Sequence, residues 1–358
     1  MLTPSPFLHS AATTPALPAG PVPPHTPKRP FLRYVHHCRA VAILFIVAMH
    51  CYGLLTPGAE PLLLRRGTGM FVFLAGLLFH HLSSGFTLRH YWRSKLKNVL
   101  LPYAVVSTPI IAARMLTGSH SDDVQALFPD FATYPSLVQV GTYYLLGLHL
   151  VPFWFIPVLC GYYLLGPGLV ALDRRGYQPA LLPTLLGLSL LVTRAPQTYQ
   201  LHLAFVHYLG VYVLGMWASR RRVRLLRWTD RHRTGFWLAV GGLLAASWWL
   251  PTHPPYVEQF LFVQKLTFCW ALLYAFWKLE LHVPRWVDTL ANMSFGIFFL
   301  HFYLLLAVLV SRHHGYLTLP PTFASFLLLL ALDLACCVGV LLLLKRALGR
   351  RSRLLVGY

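Results

Sequence analysis

Arg39 and His50 stand in one long apolar run, residues 33–55, where charged and titratable side chains are expensive and are functional candidates by default. They are eleven positions apart, about 1100° of helical turn, so in a helix both lie on one face, about 16 Å apart along the axis. An imidazole takes and gives protons near neutral pH, and a guanidinium holds an anion, so the pair is able to serve acid–base chemistry next to an anionic group. The same spacing also suits an Arg that snorkels to the membrane surface and a His that hydrogen-bonds a neighbouring helix.

Few other polar groups share this kind of surrounding. His301 falls near the middle of a later apolar run, Asp333 is the only acid deep in one, and Lys265 lies inside another. The vicinal pairs His36–His37, His80–His81 and His313–His314 sit at the ends of apolar runs and lack the i, i+4 spacing of metal ligands, so no metal site is expected. Six cysteines (Cys38, Cys51, Cys160, Cys269, Cys336, Cys337) lie in or beside apolar runs without a C-x-x-C pair and read as small buried apolar groups.

The elements that carry these residues follow from composition. The 358-residue chain is 56% hydrophobic and only 11% charged, with a mean hydropathy of +0.58, which excludes a soluble enzyme, a disordered chain and a disulfide scaffold. A helix needs roughly 20 apolar residues to cross a bilayer core about 30 Å thick. Ten segments approach this length: 35–55, 66–82, 98–117, 152–172, 179–193, 202–219, 234–250, 259–279, 290–310 and 320–345. The expected fold is an all-α, polytopic membrane helix bundle of about ten transmembrane helices. Residues 1–30 hold nine of the 27 prolines and form a flexible tail, 31–348 the transmembrane domain, and 349–358 a short basic tail.

Charge orients the bundle. Lys and Arg number 30 against ten Asp and Glu, a net of +20. With ten crossings, 24 of the cations fall on the side of the two termini, and five (Arg65, Arg66, Arg114, Arg194, Arg312) on the other. Cytoplasmic loops carry the Lys/Arg excess, so both termini are expected in the cytoplasm. An eleventh crossing at 137–150 would weaken the bias, so that stretch reads as an interfacial or re-entrant part of the large outer loop. The densest basic run, Arg220 to Arg233, joins two apolar segments and reads as an anchor to anionic headgroups rather than a nucleic-acid site.

Five phrases in order resemble one family. Arg39 through His50 is similar to the Arg, ten residues, then His of the integral-membrane acyltransferases of the acyltransferase-3 type. Gly69 to Phe79 resembles the family's second-helix phrase, and Tyr91 to Tyr103 its basic stretch ending in Pro-Tyr. Trp154-Phe155-Ile156-Pro157 resembles its "W-F-L", and Ser294 to His301 its "S-Y-G-I-Y-L-x-H". The departures are local. His36 stands where relatives often have Asp, and Lys95, Lys97 and Asn98 follow Arg93 in place of an Arg-x-x-Arg pair. Pro152-Phe153 replaces His-Leu, with His149 close by, and Leu159 replaces a Glu.

The resemblance implies a membrane-bound O-acyltransferase in the bacterial inner membrane. It implies transfer of an acyl group, most simply acetyl, from cytoplasmic acyl-CoA to a hydroxyl of an extracytoplasmic carbohydrate or lipid-linked sugar. His50 would be the general base or a transient acyl carrier, with Arg39 beside it. Arg93, Lys95 and Lys97 would hold the phosphates of CoA, and Trp154, His301 and Asp333 would support the site. Membrane lipids are the remaining partner, and nucleic acid is not one. The competing reading is a multi-spanning transporter or flippase for a lipid-linked or anionic solute, its path lined by Arg39, His50, Lys265, His301 and Asp333.

Overall fold

In lipid, a backbone must satisfy its own hydrogen bonds, and a helix does so within one segment. Regular structure among the described residues of the computed structural model, which are 30–56, 67–192, 200–249, 256–280 and 282–358, is accordingly all helical. Most of the expected Pro-rich tail lies outside them, as do Arg65, Arg66 and Arg194. In chain order the helices are α1 (Arg33–Leu55), α2 (Gly67–Leu82), α3 (Leu88–Lys95), α4 (Leu101–Thr117), α5 (Asp122–Leu127), α6 (Ser136–Leu146) and α7 (Phe155–Arg174). They continue as α8 (Gln178–Leu191), α9 (Leu201–Arg231), α10 (Arg233–Trp249), α11 (Val257–Leu279), α12 (Arg285–His313), α13 (Phe323–Leu348) and α14 (Ser352–Val356).

Each of the ten apolar segments coincides with a helix, but they are not equal. Among the described residues, eight stretches are long and apolar enough to cross a membrane: Arg33–Leu55, Gly67–Gly85, Leu88–Thr117, Val151–Arg174, Leu201–Arg231, Val257–Leu279, Arg285–His313 and Phe323–Val356. The expected crossings at 179–193 and 234–250 are α8 and α10, with 14 and 17 residues, which is below the roughly 20 that a full span needs. The 11 residues of α6 rise only about 16 Å and cannot cross.

Direction nevertheless alternates through all ten. Asp173, at the end of α7, holds His80 from the end of α2 and Arg220 from the later part of α9. Helix α8 runs back along α9, with His207 Nδ1 on the carbonyls of Ser189 and Val192. Helix α11 runs back along α10, where Gln264 donates to the Leu243 carbonyl and Tyr274 meets Phe236. Early α13 packs by Tyr52 of α1 through Phe326, whereas Leu341 lies over Gly296 of α12. The start of α1 and the end of the chain thus share one end of the bundle, together with Arg220, Lys278 and Arg350 to Arg353. This is the basic end.

Two glycines lock α2 to α9. A Cβ on Gly76 would fall on the carbonyl of Tyr212, and one on Gly215 on the carbonyl of Phe73, so the two backbones touch. Small residues at a crossing are how membrane helices gain dispersion contact, since lipid tails are as apolar as the helices. The large apolar side chains that remain exposed, such as Leu327, Leu328, Leu332, Leu342 and Leu343 on α13, face where lipid would be.

Between α4 and α7 a second, smaller core forms from Ile111, Val124, Phe131, Tyr143 and Leu148. Gly147 turns the chain there in the left-handed region (φ +70°), and a Cβ would strike the Phe153 backbone, so only glycine fits. His149 follows, fully buried, with Nδ1–H donated to the Tyr143 carbonyl at 3.2 Å and its own carbonyl taken by Arg114 at 3.1 Å. Burial pushes its pKa from 6.5 down to about 3, with the Arg114 charge acting the same way. Above pH 6.5 the ring is neutral folded or unfolded and contributes no pH dependence. Between pH 6.5 and 3 only the unfolded loop takes the proton, so local stability falls as pH falls. Protection factors of the amides of residues 143–153, corrected for the intrinsic exchange rate, should fall as pH drops through this window in the wild-type protein and should not do so in His149→Leu.

Candidate active site

Helix α1 lies parallel to α12 in a fixed register. Near the basic end, His37 Nε2 meets Asp288 Oδ1 at 2.8 Å, a sequence offset of 251, and Arg33 reaches the other oxygen at 3.7 Å. Thirteen residues further along each helix, about 20 Å, the same offset brings His50 against His301 with ring centroids 5.3 Å apart. Phe302 closes the pair edge-on to His50 at 5.5 Å. Arg312 ties off α1 by donating to the Leu54 carbonyl at 2.6 Å.

The two histidines differ in what they offer. His301 is fully buried, and its Nδ1 lies 3.1 and 2.9 Å from the carbonyls of Ile297 and Phe298. Carbonyls only accept, so Nδ1 carries the proton and the neutral ring keeps a lone pair on Nε2. That atom is buried and has no hydrogen-bond partner. His50 is half-buried. Asp333 of α13 is fully buried beside Cys51, the residue after His50; one oxygen receives the Cys337 thiol at 3.7 Å and the other has no partner. One lone pair and one carboxyl oxygen are therefore held in the bundle without a proton donor, which is costly unless a ligand supplies it.

Aromatic rings wall the pair. Phe298 contacts His301 at 6.1 Å and is backed by Phe155 at 5.6 Å and Phe153 at 6.2 Å. Trp154 lies one layer further out, edge-on to Phe155 and stacked on Tyr208 at 6.3 Å. It forms part of the same aromatic wall. Phe153 continues to His149 at 5.2 Å, so a chain of rings joins the pair to the small core beyond α4.

Arg39 belongs to a different level, about 16 Å back along α1 toward the basic end. It is half-buried, makes no hydrogen bond or ion pair among the described residues, and has Arg353 as its charged neighbour. Arg93 and Lys97 are exposed at this end. Lys95 is half-buried, with Nζ 4.2 Å from the Tyr163 ring centre and 5.4 Å from that of Tyr91. Lys265 is buried in α11 opposite Gly69 of α2. Along α9, Arg220, Arg224, Arg227 and Arg231 form one stripe, with Trp228 exposed beside it. No group of three or more His, Cys, Asp or Glu among the described residues is placed to hold a metal ion.

The structure thus joins His50 with His301, sets Asp333 beside Cys51, and keeps Arg39 apart with the basic side chains. Three participants are not evident from sequence. Asp288 restores a carboxylate near the level where His36 stands in place of an acid, but from another helix. Residues Leu96–Leu100 form a π-helical turn where α3 enters α4, a distortion common at functional sites. Arg353 arrives on a helix of five residues, too short for a periodic signal.

A family model described as an acyltransferase domain matches residues 32–342, from the start of α1 to near the end of α13. No curated protein and no solved structure matches the chain.

Proposed function

The chain belongs to the acyltransferase-3 family and is a multi-pass membrane acyltransferase, and on that premise we propose that it transfers an acyl group, most simply acetyl, from acyl-CoA to a hydroxyl. Membership of an acyltransferase family sets aside the transporter alternative. The acceptor is a carbohydrate or lipid-linked sugar on the face opposite the donor. The basic end faces the cytoplasm of a bacterial inner membrane, as the asymmetry of 24 cations against five favours.

The observation that carries this reading is the His50–His301 pair, with an unpartnered lone pair on His301 Nε2. His50 takes the proton of the acceptor hydroxyl as the oxygen attacks the thioester carbonyl. The carbon–sulfur bond then breaks, and the CoA thiolate leaves with that proton. His301, neutral and held by its Nδ1–H, offers its Nε2 lone pair to the imidazolium that forms on His50. Asp333 adds a carboxyl group one step away. The cations are set back from this chemistry, as CoA requires: its phosphates are separated from the thioester by the long pantetheine arm. Arg39, Arg93, Lys95 and Lys97 hold the phosphate end at the cytoplasmic mouth, and the thioester reaches inward to His50.

Transfer of label from acyl-CoA to membrane glycans or lipids tests the reading. His50→Ala should lower transfer at least about 100-fold while the protein is made and melts normally, in keeping with the loss of a general base. Unchanged transfer would remove His50 from the chemistry. Arg93→Glu should raise the KM for acyl-CoA; an unaltered KM would take Arg93 out of the donor site.

A further inference from the structure

The last ten residues are built into the bundle. Ser352 is buried, and its hydroxyl lies 2.8 Å from the Gly349 carbonyl and 2.5 Å from that of Tyr358. Val356 is buried, its carbonyl seated on Gly296 of α12, where any side chain would crowd it. Gly357 turns in the left-handed region (φ +77°) under Phe295, and the Tyr358 ring is capped by Lys345, whose ammonium lies 4.3 Å from the ring centre. Helix α14 is thereby wedged between α12, α13, the start of α4 and the π-helical turn that carries Lys97.

Wedging leaves one side chain over. Ser352 and Val356, four residues apart, turn inward on the same face, whereas Arg353 is exposed and makes no hydrogen bond or ion pair among the described residues. Its charged neighbour is Arg39, which has no ion pair among the described residues either. Three acids at this end are engaged elsewhere, Asp173 with His80 and Arg220, Asp230 with Lys278 and Tyr274, and Asp288 with His37 and Arg33, and Glu280 lies at the end of α11 beside Tyr34. Like charges brought together at the rim of a low-dielectric bundle repel, and a multiply charged anion between them reverses the sign of that interaction.

We propose that α14 forms one wall of the donor site and that Arg353, with Arg39, grips a phosphate group of acyl-CoA. The inference rests on acyl-CoA being the donor. It adds a binding residue from a segment that lies beyond the matched family region, residues 32–342. A phosphate could also come from a lipid headgroup, and the experiment separates the two sources.

The full-length protein is compared with Arg353→Gln, Arg353→Glu and Arg353→Lys in nanodiscs of zwitterionic lipid, with and without added anionic lipid. CoA binding is read by calorimetry, and KM and kcat for acetyl-CoA by label transfer. Arg353→Glu should weaken CoA binding and raise KM by about tenfold or more, with the loss in KM rather than kcat. Arg353→Gln should do so less, and Arg353→Lys should recover most of it. Arg353 makes no bond within the fold, so the unliganded melting temperature of Arg353→Gln should match wild type. Normal CoA binding and KM in Arg353→Gln and Arg353→Glu would overturn the proposal while leaving the donor assignment standing. A defect seen only with anionic lipid would assign the arginine to headgroups and overturn it too. Failure of the wild-type protein to bind CoA at all would overturn the donor reading and the inference together.

Discussion

The parallel packing of α1 on α12 is the constraint from which the rest of the molecule follows. Two contacts with the same offset, His37 with Asp288 and His50 with His301, lie about 20 Å apart along the axes and together leave the helices no freedom to slide by a turn. Register matters more here than in a soluble bundle. In lipid no hydrophobic force draws helices together, so a buried polar contact and close packing decide which faces meet. Parallel packing also requires an odd number of alternating helices between α1 and α12 in chain order. The ten alternating helices satisfy this, whereas an additional crossing at 137–150 would have reversed α12.

With that pair set, chemistry and charge separate by depth. The paired imidazoles lie toward the far end of α1, against an aromatic wall. Cations collect at the opposite end, where headgroups and water solvate them. A long ligand with a polyanionic head and a reactive tail fits such a profile along a single helix. Only 11% of the residues are charged, so each polar group within the bundle stands out energetically as well as in sequence.

Much of this was legible beforehand because lipid restricts the solutions. Apolar runs had to become helices, and the eleven-residue spacing of Arg39 and His50 sets their separation along the axis whatever their neighbours. Run length was less informative about spanning: 179–193 and 234–250 read as crossings, and they are the shorter helices α8 and α10, of 14 and 17 residues. Contacts between distant helices were not legible. Nothing local to Asp288 indicates His37, since the pairing depends on a register set by the whole bundle. Residues 349–358, expected as a basic tail, carry a five-residue helix whose Leu355 and Val356, with Gly357 and Tyr358, fit against the bundle around Gly296 and Phe295, a matter of shape rather than periodicity.

The central claim is that one acyl-CoA lies along α1 with its phosphates at Arg39 and its thioester at the histidine pair. A structure of the protein with a non-transferable thioether analogue of acetyl-CoA tests this most directly. The expected result is density for the sulfur and acyl group between His50 and His301, and for phosphates at the level of Arg39. Acyl density away from both histidines, or phosphates at the far end of the bundle, would contradict it.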